Sequence, residues 1–467
     1  MNIVIAGAGA VGTHLARLLS KENLNVVLVD KEEERLVKLN DALDIITLTG
    51  DPTSISVLQN AGTGKADLFI AVTPDESQNI TISMLAKQMG AKRTVARVDN
   101  YEYMKDENLE IFNKMGVNRL IYPELLAAKD IAASSKYSWA RQTWEFGEAR
   151  DLILLSVKMH DSHPIYDKEI KNENNLLVGH TLKEIGMMHG HSFHVVAIKR
   201  DGNTIVPYGD EKILTHDLVF FMTTRERVND ICHLSGKDDY PKVARAIIIG
   251  GDKLTVRTDW ALPKEMSVKV VEPNYERCHQ LGELLRERTM VINGEGHDMD
   301  LLGDEGIDMS EAFISLTPND EENILACVAA RRRGVKKTIA QVENLDYLEM
   351  AEQLDVGTIV NKKKIAASYI YEMLLKSSVD NMKMLTVADA DVAEFVVKKN
   401  SRVTKDDVMH LGFPRGVNIG GMVRDGKGQL VGGRTVLREG DKVVVFCIGG
   451  TLKKLDRYFK GKEKSEK

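Results

Sequence analysis

Gly7-Ala8-Gly9-Ala10-Val11-Gly12 follows directly on the apolar run Asn2–Ala6 and opens a stretch with helical periodicity. A G-x-G-x-x-G cluster between a strand and a helix suits one kind of chemistry, the holding of a diphosphate. Gly7 permits the tight turn, Gly9 lets backbone N–H groups approach the anion, and Gly12 lets helix and strand pack closely. The helix N-terminus adds partial positive charge and unpaired N–H donors for the phosphates. Asp30 closes the next apolar run, VVLVD, where a carboxylate accepts hydrogen bonds from ribose hydroxyls. It also repels a 2′-phosphate, so the expected ligand is NAD(H) or ATP/ADP rather than NADP.

Later strand ends converge on the same crevice, because ligands of open parallel sheets bind beyond the carboxyl ends of the strands. They bring Asp51 after Gly50, Thr73 with Pro74, and Arg97 in the run Val95–Val98. Thr73 could offer its hydroxyl or backbone N–H to the ligand. An arginine on an apolar strand needs an anion. Phosphate contact is one reading of Arg97, and a structural pair with Asp51 or Asp75 is the other.

The elements that must position these residues are written twice. LFIAVTPDESQNI (Leu68–Ile80) matches AFISLTPNDEENI (Ala312–Ile324), and TVARVDN (Thr94–Asn100) matches TIAQVEN (Thr338–Asn344). The offset stays at 242 to 244 residues, the mark of a duplicated domain. In each copy short apolar strands alternate with helical stretches, the pattern of βαβ units and a parallel sheet. The intervening and terminal segments carry Asp-Gly turn signals at Asp201-Gly202 and Asp425-Gly426 between alternating apolar residues, a hairpin signature. The expected fold class is α/β: two Rossmann-like, doubly wound parallel-sheet domains (1–122 and 243–365), each followed by a small α+β domain (145–228 and 383–460). Amphipathic stretches Leu125–Phe146 and Lys363–Leu375 read as helices crossing between domains.

The second copy lacks the cradle. Gly250, Asp252 and Thr255 stand for Gly7, Gly9 and Gly12, and Gln341 stands for Arg97; only the acid persists, as Glu272. A carboxylate about 4 Å from a phosphate is repelled by on the order of 4 kcal/mol even with surface-like screening. The second crevice is therefore expected to bind dinucleotide poorly.

Composition narrows the function further. With 467 residues, 63 Lys plus Arg against 69 Asp plus Glu and a net charge of -6, the chain lacks the basic excess of a broad nucleic-acid binder. Four scattered cysteines without a C-x-x-C pair argue against a disulfide framework or a thiolate zinc site. His180, His189, His191 and His194 cluster, with His160 and His163 nearby; His191 and His194 precede a strand with no acidic or thiolate partner at ligand spacing, so no metal site is expected. Arg331-Arg332-Arg333 reads as a solvated helix end, and the tail from Lys460 as disordered. No apolar run approaches the roughly 18 residues of a membrane span, and the N-terminus shows no signal peptide. No nucleophile–base arrangement stands out, and the small domains offer no proton donor placed against a nicotinamide. No catalytic residues are assigned. An NAD-dependent oxidoreductase is the alternative, and an adaptor with a vestigial glycine motif is a third class.

The order of large nucleotide-binding unit and small α+β unit, twice over, together with NIVIAGAGAVG, VVLVD, TGD (Thr49–Asp51), VTPDESQN (Val72–Asn79) and VARV (Val95–Val98), resembles the potassium-transport regulators of the KTN/RCK family. The resemblance implies a cytoplasmic regulatory subunit that binds NAD(H) or adenine nucleotides. It also implies assembly into a homo-oligomeric ring and docking on the inner membrane face to a Trk/Ktr-type potassium-translocating subunit, with no nucleic acid partner. Carried over by position, its ligand contacts are Gly7 through Val11, Asp30, Thr73, Pro74 and Arg97. The degraded second glycine motif departs from the family pattern.

Overall fold

The computed structural model describes residues 1–20, 24–160, 175–190, 192–373, 379–384, 390–448 and 452–461. Two compact units emerge: Met1–Leu126 with Lys362–Lys376, and Ala127–Asn361 with Ser377–Lys467.

The first unit is built on six parallel strands, β1 (Asn2–Ala6), β2 (Asn25–Asp30), β3 (Ile46–Thr49), β4 (Leu68–Ala71), β5 (Thr94–Arg97) and β6 (Arg119–Ile121), in the order β3-β2-β1-β4-β5-β6. Strand order reverses between β1 and β4, and the crevice of a doubly wound sheet opens at that point. The central strands are continuous apolar runs because helices cover both faces; β4 is buried along its whole length. The helix Ala10–Ser20 presents Leu15, Ala16 and Leu19 inward, all fully buried. Against it packs the helix Lys362–Glu372, from the far end of the second sequence copy. The unit is thus closed by a segment remote in sequence.

The second unit holds three sheets. The first small domain is a mixed-order antiparallel sheet, with β7 (Gln142–Phe146), β8 (Leu152–Lys158), β9 (Phe193–Arg200), β10 (Asn203–Ile205) and β11 (Leu218–Thr224) arranged β10-β9-β11-β8-β7. The second large domain repeats the parallel sheet with β12 (Arg245–Ile249), β13 (Ser267–Glu272), β14 (Met290–Asn293), β15 (Ala312–Ser315), β16 (Lys337–Gln341) and β17 (Thr358–Val360), in the order β14-β13-β12-β15-β16-β17. The second small domain comprises β18 (Val379–Met384), β19 (Ala390–Val396), β20 (Val417–Arg424), β21 (Lys427–Leu430) and β22 (Lys442–Ile448), ordered β18-β19-β22-β20-β21.

Both Asp-Gly signals become two-residue hairpin turns. Arg200 faces Asn203 and Arg424 faces Lys427 across them, and Asp201, Gly202, Asp425 and Gly426 all have positive φ. Such turns match the right-handed twist of the strands. A second device recurs at their bases, where Arg200 clasps buried Asp217 through two nitrogens and Arg424 clasps Asp441 in the same way. The two small sheets share one apolar core, in which Trp144, Phe146 and Phe220 meet Val392, Val444 and Phe446. Gly420 and Gly421 permit the approach: a β-carbon on either would lie 2.8 Å from Val196 or Leu152.

One sequence expectation fails here. Leu125–Phe146 is not a single helix; the helix runs Pro123–Ser135, and β7 begins at Gln142. The β-branched and aromatic run QTWEF pairs with β8, and that tertiary pairing overrides the apolar periodicity that seemed to continue the helix. Of Lys363–Leu375, the portion to Glu372 is helical as expected, whereas Leu375, His163, His191 and the tail beyond Gly461 lie outside the described residues.

Candidate nucleotide site

The carboxyl ends of β1, β2, β4 and β5 gather the predicted residues at the point of strand-order reversal. Gly7 takes φ 108°, a conformation that favours glycine, and its N–H donates to Val29 O at 2.8 Å. A β-carbon there would lie 2.9 Å from Thr73 N. Gly12 is tighter still: a β-carbon would stand 1.9 Å from Gly7 O. Around Gly9, in contrast, a β-carbon would meet no atom within 4 Å. Two glycines are demanded by the protein's own packing and the third faces open space. That is the arrangement expected if the closest neighbour of Gly9 is a ligand.

Asp30 is almost fully buried, and its Oδ2 accepts from Ala8 N at 2.6 Å while Oδ1 accepts from Glu32 N at 2.9 Å. The carboxylate is therefore fixed against the glycine loop. Ala10 is exposed and Val11 half-buried at the start of the helix, whose first N–H groups have no intrahelical acceptors. Asp51 lies exposed beyond β3, its Oδ1 accepting from the Thr53 N–H and hydroxyl at 2.8 and 2.7 Å. Those two bonds hold its carboxyl below the usual range.

Arg97, at the end of β5, is half-buried. Its structural partner is neither Asp51 nor Asp75 but Asp99, at 3.2 Å through Nη2, because the chain turns back immediately after the strand. The Nε atom is buried without a hydrogen-bond acceptor. A buried guanidinium nitrogen with an unmet bond in an anion-directed crevice fits a phosphate ligand.

Thr73 corrects the sequence reading. Its N–H and hydroxyl both donate to Asn79 Oδ1, at 2.8 and 2.7 Å, so neither is open to a ligand. Thr73 instead forms the floor under Gly7, and Pro74 is exposed beside it. The residue missed by sequence reasoning is Asn79, which is buried and also donates to Thr73 O and Arg97 O, tying the ends of β4 and β5 together. Its signal lay in the repeat. Asn323 makes the same bonds to Thr317 and to Gln341 O in the second copy.

In that second copy Gly250 keeps the turn, with φ 97° and its N–H on Val271 O at 2.9 Å. Thr255 replaces Gly12 and its hydroxyl donates to Gly250 O at 2.8 Å, which requires helix and loop to stand farther apart than in the first copy. Asp252 occupies the place of Gly9, and Arg277 Nε donates to the loop carbonyl of Gly251 at 2.7 Å. A β-carbon on Gly251 would strike the Glu272 carboxylate at 2.6 Å. Around the loop the molecule supplies its own charges.

Elsewhere, the solvated helix end expected at Arg331–Arg333 is only partly so: Arg331 pairs with Asp355, and Arg333 reaches Asp308 at 3.3 Å. Among the described residues the one His/Asp grouping with ligand spacing is exposed Asp406, half-buried Asp407 and exposed His410, away from the histidine run.

A duplicated Rossmann-type chain with small antiparallel domains, and a glycine cradle intact in the first copy, is thereby defined. The TrkA-N domain model matches residues 3–123 and 246–362, and the TrkA-C domain model matches 170–236 and 392–460. The chain belongs to the TrkA family. It is 30% identical over 456 residues to the Trk system potassium uptake protein TrkA of Vibrio alginolyticus, covering 96% of each chain. It is 28% identical over 469 residues to TrkA homolog 1 of Methanosarcina mazei, covering 98% of this chain and 100% of that one. The fold is shared with the solved structure "GsuK channel bound to NAD", at a TM-score of 0.58 and 14% identity, covering 98% of this chain and 78% of that one.

Proposed function

We propose that this chain is the nucleotide-binding regulatory subunit of a Trk-type potassium uptake system. The relatives named as Trk potassium uptake proteins support the system, and the cradle supports the ligand. The single observation that carries the ligand assignment is the open space at Gly9 beside packed Gly7 and Gly12.

NAD(H) or an adenine nucleotide would lay its diphosphate across the N–H groups of Gly9, Ala10 and Val11, with Asp30 on the ribose hydroxyls and Arg97 Nε on a phosphate oxygen. Asn79 keeps β4 and β5 in place beneath it. The bound nucleotide acts through shape: it shifts the protein between conformations by as much as its affinities for them differ. A coupling of about 1–3 kcal/mol gives a several-fold to hundredfold change in transport. The chain works as a homo-oligomeric ring docked to a potassium-translocating membrane subunit, a reading supported by its relatives named as Trk potassium uptake proteins. It performs no catalysis of its own, and the second glycine loop binds dinucleotide poorly or not at all.

The test pairs calorimetry of NAD+, NADH, ATP and ADP with potassium uptake in cells lacking the gene. Saturable binding and lost uptake, restored by the wild-type gene and not by Asp30→Ala, are expected. Turnover of the nicotinamide with a small substrate would replace this reading with an oxidoreductase.

A further inference from the structure

Where the first small domain meets the second large domain, inside the second compact unit, lies a cavity of about 20 Å³ lined by Arg141, Lys158, Lys237, Arg331, Lys336 and Lys337. His160 joins them, and among the described residues no carboxylate lines the space. The described acids nearby are each engaged by a cation. Asp355 is shared by Arg141 and Arg331, Asp239 lies 3.3 Å from Lys336, and Glu352 is taken by Lys199. Lys337, buried, donates to neutral oxygens only: Ala140 O, Arg141 O and the Thr358 hydroxyl.

Lys237 is the decisive residue. It is 6% exposed, and among the described residues its ammonium has no direct hydrogen-bond acceptor or ion pair, only the face of Tyr240 at 5.0 Å; the carboxylates that attract it from farther off, Asp355 and Asp239, already pair with Arg141, Arg331 and Lys336. A buried ammonium with no direct counter-charge is among the costliest arrangements a protein can hold. Burial, then the charge of Arg141, pulls the Lys237 ammonium down to about 7. Burial, then Lys237, pulls His160 down to about 2. An anion would relieve the whole group at once.

We infer that this cavity is a binding site for a small monovalent anion of the halide class, which fastens the first small domain to the second large domain. The size follows from the space: a water-sized centre needs roughly 10–15 Å³, so the cavity takes a halide but not a tetrahedral oxyanion with its shell. The chemistry follows from the lining, in which six cationic side chains and His160 stand among neutral residues such as Ser138, Tyr240 and Thr358. Because Lys158, His160 and Lys237 come from one domain and Arg331, Lys336 and Lys337 from the other, the ion would bridge them. This site is independent of the nucleotide reading.

The test is thermal unfolding of the full chain at fixed ionic strength, replacing gluconate by chloride or bromide, with crystals grown in bromide. Wild type is expected to show a saturable rise in Tm of about 1 °C, the response of a chain of 467 residues to roughly 1 kcal/mol of linked binding. The rise should be absent from Lys237→Met, and an anomalous bromide peak should lie within hydrogen-bond reach of Lys237. Equal rises in both proteins, or a trend that never saturates, would overturn the site. If Lys237→Met does not fold, the wild-type bromide crystals decide alone: no peak in the cavity refutes the inference.

Discussion

Replacing Gly9 by alanine separates ligand binding from folding. The added methyl would meet no protein atom within 4 Å, and Gly9 is absent from the positive-φ residues, so the native backbone accepts alanine without strain. Removing a glycine from the unfolded ensemble then stabilises the protein by about 0.4–1 kcal/mol. The same methyl stands where the diphosphate must come closest to the loop. Losing one charge-assisted N–H bond to it costs about 1.5–3 kcal/mol, an affinity loss of roughly 10- to 100-fold. Gly12→Ala is the control with opposite structural consequences. Its methyl would sit 1.9 Å from Gly7 O, forcing helix and loop apart, and such overpacking costs typically about 1–3 kcal/mol. Calorimetric titration with NAD+ and ATP, with differential scanning calorimetry on the same samples, reads both quantities. Gly9→Ala should keep or raise Tm while losing binding, and Gly12→Ala should lose both. Wild-type affinity in Gly9→Ala would refute the assignment of that open space to a ligand.

Arg97→Gln should weaken nucleotide binding at least tenfold with Tm nearly unchanged, since among the described residues its side chain makes one ion pair, the partly exposed one with Asp99; equal calorimetric affinities would remove Arg97 from the site. Asn79→Ala leaves Thr73 N and the carbonyls of Thr73 and Arg97 without their buried partner, and urea unfolding should show a loss of about 2–4 kcal/mol. The carboxyl of Asp355 is pulled upward by burial but held down at about 2 by Arg141 and Arg331. Its folded value is thus below the unfolded one, so its contribution is complete above about pH 4 and disappears as the pH falls through 2. That contribution amounts to about 2 kcal/mol, and Asp355→Asn should flatten the stability curve over that window.

The fold was largely legible because duplication printed the same strand and turn chemistry twice, and the six-strand pattern of the large domains needs no tertiary information beyond its apolar runs. The glycine loop was legible for the same local reason: Gly7, Gly12 and Asp30 act on neighbours set by the strand–turn–helix geometry. What stayed hidden depends on contacts between segments distant in sequence. The occupation of Thr73 by Asn79 needs the helix Glu76–Met89 seated on β4, and the pairing of Arg331 with Asp355 beside Arg141 needs two domains brought together. Lys237 and Lys337 carry no motif that marks them as buried. Only the packed structure turns them inward.

The helix Lys362–Glu372 closes a unit whose sheet was complete more than two hundred residues earlier. During translation at about 5–20 residues per second, the ribosome delivers it roughly ten to fifty seconds after β6 has emerged. For that interval the nascent first unit carries an unfinished flank, an opening for chaperones and proteases. A message truncated between codons 122 and 362 would yield a chain bearing the glycine loop and a raw face beside it, so stop mutations in that span should destroy the product rather than release a working nucleotide-binding fragment.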